Sequence, residues 1–128
     1  MREYRVHSVA LLLVNPEGQL YCVQELKPKP EIGKIPGVKD RSFPWETMEP
    51  DEFELGTLSR LVREEIDRTD RVEFLPPVWI GNVPVYDTLA HVFLASFVSG
   101  PENMRGSDTD IEPLGWQTPG FLLECCRD

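Results

Sequence analysis

Four side chains in the middle of this sequence have the types and spacing to do chemistry together: Glu52, Arg60, Glu64 and Glu65. Residues three and four apart on a helix share a face, so the acids of such a segment can converge on one hard cation. An arginine on that helix can form a forked pair with an upstream carboxylate and fix the loop between them, here Arg60 with Glu52. On an arbitrary amphipathic helix the same charges would simply be a solvated face, and the charges alone leave that alternative open.

These residues lie on a segment that reads as a helix from Asp51 to Asp67. Asp51 is placed as its N-cap, and Glu52 and Glu54 suit the first turn. Leu55, Leu58, Val62 and Ile66 fall on one stripe, which is assigned to the core. Arg60 and Glu64 point away from it. Glu65 sits at its edge, and Leu61 flanks it.

The other elements must carry this helix. Tyr4–Val14 is β-branched and apolar, as a central strand should be. Asn15-Pro16-Glu17-Gly18 is turn chemistry, and Gln19–Glu25 is the returning strand. Lys27–Pro44 holds four prolines and two glycines and reads as a long loop. Arg71–Trp79 and Val85–Ser99 are two further strands divided by Gly81-Asn82. Gly100–Ile111 is a polar loop, Leu114–Gln117 a short strand and Pro119–Cys126 a closing helix, with Phe121, Leu122 and Cys125 inward. This order gives an α/β fold with a mixed sheet covered by helices.

Bulk properties narrow the function. A chain of 128 residues fits one domain. A net charge of -9 opposes binding of long nucleic acid. It permits a small phosphorylated ligand if a divalent cation inverts the local charge. The three cysteines, Cys22, Cys125 and Cys126, are odd in number and lack a CxxC spacing. That argues for a reducing, cytoplasmic setting rather than a disulfide framework. The apolar run Val9–Val14 is too short for a membrane span or a secretory segment.

The stretch from Phe43 to Asp67 resembles the Nudix box, G-x5-E-x7-R-E-U-x-E-E-x-G-U with U aliphatic. Glu52, Arg60, Val62, Glu64 and Glu65 match. Glu46 and Asp67 stand in place of the two glycines, Leu61 in place of the first acid of the R-E pair, and Arg68 in place of the last aliphatic residue. The hairpin Val9–Gln24 and the late acidic segment Asp110–Trp116 are similar to the family's flanks. The resemblance implies a Nudix-like α/β/α sandwich spanning residues 1–128 and a metal-dependent hydrolase of a nucleoside diphosphate linked to another moiety. It implies Mg²⁺ or Mn²⁺ on Glu64 and Glu65, with Asp110 or Glu112 joining the metal or assisting the attacking water. Glu52 and Arg60 would order the loop, and a homodimer is a further implication. Phe43 and Trp45 are candidates to stack on a base, or to anchor their loop. Lys34 and Arg41 belong to a basic loop that is suited to phosphate or is simply a solvated loop. His7 and His91, both in strands, read as structural. The missing carboxylate at Leu61 implies impaired activity. It raises a second possibility, a catalytically silent module that binds a ligand or a protein. A third is an unrelated interaction domain.

Overall fold

The computed structural model describes residues 4–27, 41–85 and 87–125. Lys34 and Cys126 lie outside them, as do the side chains of Leu122 and Cys125. The strands are β1 (Val6–Val14), β2 (Leu20–Glu25), β3 (Arg41–Ser42), β4 (Trp45–Thr47), β5 (Glu73–Phe74), β6 (Val78–Val85), β7 (Thr88–Ser99) and β8 (Ile111–Gln117). The helices are α1 (Glu54–Leu61) and α2 (Pro119–Cys125). A π-helical turn, Val62–Ile66, continues α1 directly.

The centre of the sheet is the parallel pair β1–β7, in register from Val6↔Thr88 to Val14↔Ser96. Every other pairing is antiparallel, so the sheet is mixed. Parallel central strands are covered on both faces, which is why β1 is nearly all apolar. The hairpin closes through Asn15, whose Oδ1 accepts the N–H groups of Glu17 and Gln19. Gly18 takes the left-handed backbone (φ 78°) that this turn needs. Beyond Val14↔Leu20 the two strands diverge. β1 then pairs with β4, and β2 with β3 and β8.

Two apolar layers result. On one face Val9, Leu11, Leu13, Tyr21, Val23, Phe93, Ala95 and Ile111 pack against Leu58, Leu61, Val62 and Ile66. Each such aliphatic side chain contributes roughly 1.5–3 kcal/mol by burial. On the other face Ala10, Ala90, Val92 and Trp45 gather with Leu12, Phe43 and Val85. This alternation follows from the two-residue period of the strands. No described helix is long and apolar enough to cross a membrane.

Several expectations need correction. Helix α1 begins at Glu54, capped by Phe53 without a side-chain bond, so Asp51 is not its N-cap. Leu55 is not core: in the first turn it is 62% exposed. Its place is taken by Leu61, which is fully buried. Gly81-Asn82 does not divide two strands. It lies within β6, where the register to β7 shifts between Trp79 and Gly81 as a bulge. The late strand starts three residues earlier than expected, at Ile111.

Candidate functional site

The site is organised by Arg60. Its Nε and Nη2 donate to the two carboxylate oxygens of Glu52 at 2.9 and 2.6 Å, a forked pair. Its Nη2 also donates to the Thr47 carbonyl at 2.7 Å. Its Nη1 meets Glu46 at 3.0 Å and Glu64 at 3.3 Å. One guanidinium thus joins β4, the loop before α1 and the π-helical turn. Glu52 also accepts the Thr57 hydroxyl and the Glu49 N–H, which holds residues 49–52 in a loop and delays the helix. The hydrogen bond from Arg60 first, and then that from Glu49 N–H, hold the Glu52 carboxyl down at about 2. Arg60 is raised above its ordinary value chiefly by the same bond. Three carboxylates around one cation leave the cluster negative.

Glu65 is buried, and its Oε1 accepts the Trp45 N–H at 3.0 Å. The π-helical turn ends with the Asp67 N–H donating to the Val62 carbonyl at 2.8 Å. Asp67 is extended (φ −148°), so no glycine is required there. Burial pushes its carboxyl up. Bonds from the Thr69 hydroxyl and the N–H groups of Arg71, Thr69 and Val72 outweigh that and hold it below its ordinary value. Asp67→Asn, which turns one acceptor into a donor, is expected to lower stability by about 1–2 kcal/mol, read by urea denaturation at pH 7. The loop from Arg105 to Asp108 lies on the same turn, with Ser107 and Asp108 N–H donating to the Arg63 and Glu64 carbonyls. Gly106 permits this approach, since a Cβ there would collide with the Glu64 carbonyl.

Set beside solved structures, this architecture has clear counterparts. A structure from a study of MutT of Aliivibrio salmonicida and Vibrio cholerae matches with TM-score 0.64 at 16% identity, over 93% of this chain and 84% of that one. A Nudix hydrolase from Nitrosomonas europaea matches with TM-score 0.65 at 20% identity, over 93% and 76%. A Nudix-family hydrolase from Clostridium perfringens matches with TM-score 0.56 at 12% identity, over 92% and 82%. The chain has the Nudix fold. No family model matches the sequence, and a comparison with curated proteins finds no match.

In this Nudix fold the degenerate box, Glu46 to Arg68, runs from β4 through the loop, α1 and the π-helical turn. Glu52, Arg60 and Glu64 are brought together as the spacing implies, with Glu65 one residue on, bonded to β4. Leu61 points into the core instead. Asp110 and Glu112 lie in ion pairs of their own, with Lys27 at 3.3 Å and Arg105 at 3.0 Å. Trp45 is 6% exposed and stacked on Phe43 (centroids 6.1 Å apart), which fits the anchoring role rather than an open stacking surface. Arg41 is exposed in β3.

For a hard divalent cation the donors are right in kind, the carboxylate oxygens of Glu64 and Glu65 on one turn, but short in number. Among the described residues no three acids, histidines or cysteines are grouped as a cation site.

Two features escaped the sequence. Glu46 takes the box glycine's place and supplies Arg60 with another carboxylate; an acid at a glycine position was the available signal. Glu54, His91 and His7 form a connected row, with nothing in their spacing to announce it.

Proposed function

We propose that this chain is a Nudix-type hydrolase that cleaves a phosphoric anhydride in a small phosphorylated molecule, with a nucleoside diphosphate linked to another moiety as the substrate class. The observation that carries this is the Glu52–Arg60 fork with Glu64 beside it, at the box positions of a Nudix fold. Glu64 and Glu65 would hold Mg²⁺ or Mn²⁺, and when bound the cation neutralises diphosphate charge. Asp110 and Glu112 would have to leave Lys27 and Arg105 to join them. With one carboxylate fewer than the family pattern, binding should be weak, in the millimolar range. Arg41 and Lys34 are the cations proposed to meet substrate phosphates. Cys22 is buried and outside any disulfide, which suits a cytoplasmic setting. The surface proposed for a homodimer is the edge strand β6, where Val78, Trp79, Ile80 and Val83 are exposed.

The test is turnover of a panel holding a nucleoside triphosphate, a nucleoside diphosphate sugar and inorganic pyrophosphate, with and without Mg²⁺ or Mn²⁺. Cation-dependent hydrolysis is expected, reduced at least tenfold by Glu64→Gln. A wild-type protein that hydrolyses nothing would defeat the reading. The core position of Leu61 favours one rival, the silent module, which would show saturable binding of a panel compound without turnover.

A further inference from the structure

At the N-terminal end of α1, three titratable side chains from three elements stand in a row. Glu54 Oε2 on α1 faces Nδ1 of His91 on β7 at 3.5 Å. Nε2 of that imidazole lies 3.0 Å from Nδ1 of His7 on β1. The parallel β1–β7 register makes this possible, since it sets Val9 opposite His91 and so places His7 two residues away on the same face. One pair of tautomers satisfies the whole row. A carboxylate accepts only, so His91 presents Nδ1–H to Glu54 and keeps the lone pair on Nε2. His7 then donates Nδ1–H to His91, and its own Nε2 is left with a lone pair. His7 is exposed and lines a cleft of about 340 Å³ with Arg5, Thr47, Glu49 and Glu52. Thr47 and Glu52 are also partners of Arg60, so this cleft adjoins the box cluster.

We propose that His7 is the general base of the hydrolysis, with His91 and Glu54 as the positioning residues behind it. The inference rests on the hydrolase reading above. The acids that the resemblance offers to assist the water, Asp110 and Glu112, are tied to Lys27 and Arg105, and residue 61, an acid in the box, is a buried leucine. His7 Nε2 removes a proton from the attacking water while the water oxygen forms a bond to phosphorus. The bond from phosphorus to the bridging oxygen breaks, its electron pair stays on the departing phosphate, and His7 returns the proton to solvent. Arg5 is the cation of the cleft available to a phosphate, and Glu49 and Glu52 are its acids, the latter paired with Arg60. Among the described residues that line the cavity beside His91, Glu54 is the charged one, and Asn82 stands opposite His91 on β6. Burial lowers His91, Glu54 opposes that and His7 adds to the lowering.

The experiment compares wild type, His7→Gln and Glu54→Gln on whichever panel compound is turned over fastest, from pH 5 to 9. In wild type kcat rises with pH across the range in which an imidazole loses its proton. His7→Gln lowers kcat by about 100-fold and abolishes that limb, with KM little changed. By NMR, the His91 ring titration moves to lower pH in Glu54→Gln and to higher pH in His7→Gln. A His7→Gln enzyme within twofold of wild type, with the same pH profile, overturns the assignment of the base and leaves the hydrolase reading intact. Absence of turnover in wild type overturns both. An unmoved His91 titration in Glu54→Gln overturns the relay.

Discussion

Arg60→Ala should be among the most damaging substitutions at the surface of this protein, lowering stability by about 2–4 kcal/mol at pH 7. Arg60 is only one-fifth exposed, and so is Glu52; Glu46 is slightly more buried, and Glu64 is one-third exposed. Removing the guanidinium leaves three carboxylates facing one another in a partly desolvated pocket, and it strips the Thr47 carbonyl of its donor. The sign of the pH dependence follows from Glu52. Its folded value, about 2, lies below the ordinary 4.5, so its contribution is full above about 4.5 and is lost as pH falls towards 2. In the variant the same carboxylates repel, and protonation relieves them. The gap between variant and wild type should therefore be widest above about pH 5 and close on acidification. Urea denaturation at a series of pH values measures this. A gap that stays constant from pH 7 to pH 3 would show that Arg60 acts through packing of its aliphatic stem alone. Arg60→Lys, which keeps the charge without the fork, should fall between the two.

The parts of this site that were legible in the sequence are those separated by a few helical turns or one loop. The Arg60–Glu52 pair could be read because eight residues and one loop set it. The core stripe of Leu58, Val62 and Ile66 could be read because 3.6-residue periodicity sets it. Periodicity puts Leu55 on the core stripe, yet it is exposed because the helix starts late, and it starts late because Glu52 is tied to Arg60, Thr57 and Glu49 instead of serving the first turn. Gly81-Asn82 carries turn chemistry, yet β7 is long enough to pair across it, and a bulge absorbs the mismatch. The His7–His91 contact joins residues 84 apart through a parallel register that no local pattern encodes. Glu46 and Asp67 show the opposite case. Each fills a position the box gives to glycine, and neither needs glycine's backbone, because Glu46 lies in a strand and Asp67 is extended.

Leu61→Glu puts back the acid of the family pattern, and the structure predicts that it fails. The side chain at 61 is fully buried among Val9, Leu11, Leu58, Val62 and Ile66. A carboxyl placed there loses the aliphatic contacts and water together, so the expected loss is at least about 3 kcal/mol. Burial raises the pKa of such a group, so it is neutral around pH 5 to 6 and a poor cation ligand there. Because its folded value lies above the unfolded one, the variant should be less unstable at pH 5 than at pH 8. Leu61→Met, which keeps volume and polarity, should cost under about 1.5 kcal/mol. Thermal melts at the two pH values separate packing from charge. The decisive comparison is turnover measured well below the variant's melting temperature. If Leu61→Glu melted like wild type and gained cation-dependent activity, residue 61 would have to reach the acidic cluster. The packing of Leu61 among these side chains would then be wrong, and the missing carboxylate would be the one that limits cation binding.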